Sequence, residues 1–173
     1  MMKRTVVGIL VVLGLAGSTT ALSAASATVE KNKYHQVEVT RFEIQEGIKF
    51  PPDFLIAMTE ELVTQLKDTK KFAQVLHEGE TAADGSGPAL RMVGTVTEYQ
   101  AGNRAVRYMV GFGAGKTKIV AHIKFIDRDA GTVLLEQDVD GKVIMGGAIL
   151  SESIGATRGL AKEAAKVAAK NFF

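Results

Sequence analysis

Between Thr117 and Phe125 two residue classes alternate without a break. Thr117, Ile119, Ala121, Ile123 and Phe125 take one parity, and Lys118, Val120, His122 and Lys124 take the other. Successive side chains of a strand point to opposite faces of its sheet. Such a run therefore demands a sheet with one apolar, covered face and one polar face. Leu90, Met92, Gly94 and Val96 repeat the pattern against Arg91, Val93, Thr95 and Thr97. Val133, Leu135, Val139, Val143 and Met145 are expected to continue it on one face of a partner strand, after a turn at Asp127–Gly131. In that turn the aspartates bond nearby backbone and Gly131 takes the left-handed conformation.

A sheet with one apolar face needs helices to cover it, and two segments have helical spacing. Pro52 or Asp53 starts the first, in which Leu55, Met58, Leu62 and Leu66 recur to about Asp68. The second runs from about Leu150 to Asn171, with Ile154, Leu160 or Ala161, Ala164, and Val167 or Ala168 on its buried stripe. Lys162, Lys166 and Lys170 form a solvated stripe on that helix. Ahead of the first helix, Tyr34 to Ile44 reads as a strand with Val37 and Val39 on one face and Phe42 and Ile44 on the other. That change of phase predicts a bulge near Thr40 and Arg41. Lys71–His77 reads as a short strand, Glu78–Pro88 as an exposed loop and Arg104–Phe112 as a further strand. The expected fold is α+β: an antiparallel (mixed) β-sheet of about five strands with two helices packed on one face. No repeat or linker divides residues 28–173, which form a single domain.

The amino-terminal residues lie outside that pattern. Met1-Met2-Lys3-Arg4 is basic, Val6–Ala16 is an apolar run too short to span a bilayer, and Ala25-Ser26-Ala27 is a small-residue cleavage motif. Residues 1–27 are thus expected to be a signal peptide cleaved after Ala27. The product would be periplasmic or secreted, with no transmembrane span in the mature chain. The sequence has no cysteine, so neither a lipobox anchor nor a disulfide is available. Taking Lys3 and Arg4 from the 21 basic residues leaves 19 against 19 acidic ones. A balanced charge gives no ground for nucleic-acid binding.

Gly111-Phe112-Gly113-Ala114-Gly115-Lys116-Thr117 ends like a phosphate-binding loop. A true P-loop places four residues between its first glycine and the Gly-Lys pair, and its lysine opens a helix. Here Gly111 and Gly115 enclose three residues, and Lys116 leads into the alternating strand. The segment reads as a glycine-rich connection where another backbone can approach. His35, His77 and His122 have no zinc-ligand spacing, and Lys118 and Lys124 flank His122 with positive charge, so no metal is expected. Asp127-x-Asp129-x-Gly131 lacks the remaining ligands of a calcium loop. Ser86 lies in a loop, Ser151 and Ser153 read as helix caps, and Glu60-Glu61 reads as a solvated helix face. Gly155 and Gly159 are flanked by too many cations for a membrane helix and point to close packing on the sheet. No enzyme constellation or cofactor motif emerges.

Arg107-Tyr108-x-x-Gly111-Phe112-Gly113-Ala114-Gly115, the alternating strand, and Asp127-x-x-x-Gly131-x-Val133-Leu134 together resemble the bacterial domain of unknown function 4410 family. Val39-x-x-Phe42 and Lys71-Phe72-x-x-Val75 agree with it. The resemblance covers nearly all of the mature chain and implies a signal-bearing envelope protein with no established activity. The element order is similar to the amino-terminal domain of TolB and the periplasmic domain of curli-assembly lipoproteins. The function expected is a non-enzymatic protein-interaction or assembly module, with another envelope protein or a second copy as partner. Its contacts would lie along Arg107–Lys118, including Gly111, Gly113, Gly115 and Lys116. The alternative is a small anionic ligand held by Arg104, Arg107, Lys116 and Lys118.

Overall fold

A computed structural model describes residues 29–81, 87–102, 117–142 and 152–173. In chain order the elements are β1 (Gln36–Val39), β2 (Glu43–Ile44), α1 (Pro52–Asp68), β3 (Gln74–His77), β4 (Ala89–Gln100), β5 (Lys118–Asp127), β6 (Val133–Lys142) and α2 (Glu152–Phe172). The strands form one mixed sheet in the order β3-β1-β4-β5-β6, with β2 also paired to β4. β4, β5 and β6 are an antiparallel meander, and β1 runs parallel to both β3 and β4. The chain travels from β1 to β3 through α1, and a helical crossover of this kind returns it in the same direction. The fold is α+β as expected, with six strands once β2 is included.

Leu90, Met92 and Val96 of β4 and Ile119, Ala121, Ile123 and Phe125 of β5 are fully buried. They share one core with Leu55, Met58, Leu62 and Leu66 of α1 and Leu160, Ala161, Ala164 and Ala168 of α2. Each such leucine or isoleucine contributes about 1.5–3 kcal/mol by leaving water. Phe172 closes the core, edge-on to Tyr34 at 5.9 Å between ring centres and tilted against Phe125 at 5.3 Å. α2 lies tight against the sheet at Gly141, where a Cβ would lie 2.3 Å from the Ala156 carbonyl oxygen and 2.6 Å from Leu160 Cβ. Gly94 is filled in the same way by the Phe42 ring, 2.2 Å from where its Cβ would be.

Three register shifts change which side chains reach this covered face, and the first two return apolar ones to it. Val39 pairs with Met92 but Glu43 with Thr95, so the chain around Thr40–Phe42 carries one residue more than β4. This is the expected bulge, and its effect corrects one expectation. Phe42 and Ile44 lie on the same side as Val37 and Val39, because the extra residue returns them to the core. The second shift, between Val96 and Glu98, turns Tyr99 inward, where its ring meets Phe50 at 5.0 Å. The third, between Phe125 and Ile126, puts Val133 opposite Ile126 on the open face. Val133 is 38% exposed there, although plain alternation places it with Leu135 and Val139. Val143 and Met145 lie outside the described residues, as does the expected strand Arg104–Phe112.

The last helix agrees with its predicted stripe at Leu160, Ala161, Ala164 and Ala168, and Lys162, Lys166 and Lys170 are exposed. Ser151 and the side chains of Ser153 and Ile154 lie outside the described residues. Among the described residues no helix is long and apolar enough to cross a membrane.

Candidate interaction face and edge

The sheet face away from the helices is built by strand parity. Lys118, Val120, His122 and Lys124 of β5 point to it, Arg91, Val93, Thr95 and Glu98 flank them on β4, and Glu136, Asp138 and Asp140 flank them on β6. Cross-strand register converts this pattern into ion pairs. His122 Nδ1 lies 2.7 Å from Asp138 Oδ1, and its Nε2 lies 3.2 Å from Glu136 Oε2. Lys124 Nζ donates to Glu136 Oε1 at 3.2 Å, and Lys118 Nζ donates to Glu98 Oε2 at 2.8 Å. The bond to Asp138, aided by Glu136 and opposed by burial, raises the His122 pKa above its ordinary value. Lys124 first, then His122, hold the Glu136 carboxyl below the usual range. Exposed cross-strand pairs are worth only about 0.2–1 kcal/mol each, so this ladder keeps the face hydrated rather than driving folding.

A second polar cluster lies under the start of the β3–β4 connection. Glu38 of β1 is only 2% exposed. Its carboxylate receives Arg91 Nε at 2.9 Å, Arg128 Nε at 3.2 Å and the Gly79 backbone N–H at 3.1 Å. Burial works to raise its pKa, but the Arg91 bond, the Gly79 N–H and the two guanidinium charges outweigh it and leave the value lowered. A glutamate alternating with valines in a strand reads as solvent-facing, so no local signal marks it as buried. Glu61 differs from expectation in the same way. It receives Arg158 Nε at 2.9 Å and ties α1 to α2 instead of facing bulk water, whereas its neighbour Glu60 lies 3.3 Å from His77.

The turn Asp127–Gly131 forms as predicted. Asp127 Oδ1 accepts from the N–H groups of Asp129 and Ala130 at 3.1 and 3.0 Å, and Gly131 has φ 68°. The other oxygen, Oδ2, accepts the Tyr34 hydroxyl at 2.8 Å. Burial, then that bond and the Asp127 charge, push the Tyr34 pKa up to about 12. Beside them is a cavity of about 280 Å³ bordered by Glu30, Lys33 and Leu134. That is below the usual range for a small-molecule pocket, roughly 300–1,000 Å³. Among the described residues no group of three or more acidic, histidine or cysteine side chains is arranged to hold a metal ion.

β6 ends the sheet, since β5 is its one strand partner among the described residues. Val133, Glu136, Gln137 and Asp138 are all exposed. Gln137 stands opposite Ile123, on the helix side, and is still exposed, so neither helix reaches over this stretch of the edge.

Of the residues singled out in the sequence, Lys118 is described and spends its charge on Glu98. Arg104, Arg107, Gly111, Gly113, Gly115 and Lys116 lie outside the described residues. Sequence reasoning missed Glu38, and it missed that β6 carboxylates surround His122. The alternation of Glu136, Asp138 and Asp140 was visible, but the pairing depends on the length and bulge of the turn before β6.

A family model described as a domain of unknown function (DUF4410) matches residues 18–147. Among curated proteins there is no match. Among solved structures, the chain is similar to the PelC dodecamer from Paraburkholderia phytofirmans, at 16% identity and a TM-score of 0.51, covering 80% of this chain and 90% of that one. A single-residue variant of that dodecamer gives 17% identity, the same TM-score, and coverage of 80% and 88%. A Xanthomonas campestris protein of the DUF330 family gives 9% identity and a TM-score of 0.48, with coverage of 81% and 86%. At these identities the likeness to the two PelC structures is one of fold.

Proposed function

The chain belongs to the DUF4410 family, and on that premise we propose that it is an exported cell-envelope protein that acts by binding other protein chains, not by catalysis. The observation that carries this reading is the stretch of the β6 edge around Gln137, uncovered among the described residues, where even this inward-directed side chain is exposed. Free strand edges accept an added strand through main-chain hydrogen bonds, and this is a recurring mode of protein recognition. A second copy is the first partner to test, because the PelC protein that shares this fold is a dodecamer. The hydrated ladder of ion pairs beside the edge offers no nucleophile poised against a base. Lys118, already bonded to Glu98, gives no support to an anion site at that position. Export rests on the basic, apolar and small-residue order of residues 1–27.

The test is the native mass of the secreted protein, with and without Gln137→Lys. An inward-directed lysine on an edge strand repels an added strand while leaving an exposed position exposed. Assemblies larger than one chain, or a crosslinked envelope protein, are expected for the wild type and should be lost in the variant. A wild-type protein that stays monomeric and captures no partner would overturn the reading. The same mass measurement is expected to place the mature amino terminus at Thr28.

A further inference from the structure

A neutral imidazole has one N–H donor and one bare acceptor nitrogen, whereas an ionised carboxylate is an acceptor at both oxygens. His122 faces a carboxylate with each ring nitrogen, Asp138 at 2.7 Å and Glu136 at 3.2 Å. Only the doubly protonated ring can donate to both, because a neutral ring would set a lone pair against a carboxylate oxygen. Both acids belong to β6 and the histidine to β5, so the proton on His122 bridges the outermost pair of strands. From this geometry we infer that His122 is a proton-operated clamp. As imidazolium it ties β6 to β5 through two charge-assisted bonds, and on losing a proton it releases one of the two carboxylates.

The other groups on this face fit that role. From β4 the residue opposite His122 is the uncharged Thr95, and the nearest acid of that strand, Glu98, is bonded to Lys118. On β5 the nearer lysine, Lys124, is bonded to Glu136 and so shares that acid with the histidine. From β6 the three acids Glu136, Asp138 and Asp140 project to this face, and Asp138 supplies the shortest bond. The bonds from Asp138 and Glu136 raise the His122 midpoint against the opposing effect of burial. A raised histidine value means that the stabilisation is fully present below the unfolded value near 6.5. It fades as pH climbs through the folded midpoint. The consequence falls on the strand whose edge is open, and it holds whether or not that edge takes a partner.

The experiment is a proton NMR titration of the His122 ring together with amide hydrogen exchange, corrected for intrinsic rates, from about pH 5.5 to about pH 8.5. It compares wild type, Asp138→Asn and His122→Gln. In the wild type the His122 midpoint should lie above 6.5, the ordinary value, and Asp138→Asn should lower it. Protection of Val133–Lys142 amides should fall severalfold relative to β4 as pH passes that midpoint. In His122→Gln the fall should be absent. A wild-type midpoint at or below the ordinary value, or β6 protection that does not follow it, overturns the clamp. Should His122→Gln fail to fold, the wild type and Asp138→Asn decide the matter alone.

Discussion

Glu38 is a charged group that the fold keeps out of water and then satisfies three times, with Arg91, Arg128 and the Gly79 N–H. Truncating it strands two guanidinium groups beside a buried strand, so Glu38→Ala should lose about 2 kcal/mol in urea unfolding at neutral pH. Its pH dependence has a definite sign. The carboxyl is lowered in the folded state, so its stabilisation is present above the unfolded value near 4.5 and is lost as pH falls through the depressed folded one. Wild type and Glu38→Gln should therefore converge in stability as the medium is acidified, and a constant difference would contradict the assignment. Tyr34 offers a second check at this scale. Its ultraviolet ionisation should be delayed to about 12. Neither property was legible in the sequence, where Glu38 reads as a surface residue and Tyr34 as the start of a strand.

At the level of elements, packing between α2 and the sheet depends on what Gly141 lacks. A methyl group there meets the Ala156 carbonyl oxygen, a backbone atom that cannot rotate away. Gly141→Ala should cost about 2–3 kcal/mol through displacement of the helix. At Gly94 the obstacle is the buried Phe42 ring, and Gly94→Ala should cost a similar amount. Combining Gly94→Ala with Phe42→Leu should recover part of that loss. The check is thermal or urea unfolding of each variant, and a near-neutral effect at Gly141 would refute the close approach. Periodicity placed both helices and β4, β5 and β6 well, because burial on one face leaves a periodic record in the chain. It misplaced Val133 and Phe42 because a single extra residue on one strand reverses parity for everything after it. Such an insertion is defined only against the partner strand.

Among the described residues the molecule has both helices on one side of the sheet, a hydrated ladder of charge on the other, and a β6 edge that is exposed around Glu136–Asp138. The assembly experiment belongs to this scale. Gln137→Lys should change the mass of the native particle while leaving the unfolding transition of the chain, compared at concentrations where both proteins are dissociated, within about 0.5 kcal/mol, as expected for an exposed position. A large loss of stability would mean that the edge is structural. Alternation and helical spacing by themselves determined an α+β chain with one covered sheet face, because each strand or helix records its own exposure in the order of its residues. Tertiary structure alone decided that β1 lies between β3 and β4, that Glu38 is buried, and that His122 stands between two acids. Those facts depend on which strands become neighbours and in what register, and such long-range pairings leave no trace in any single segment.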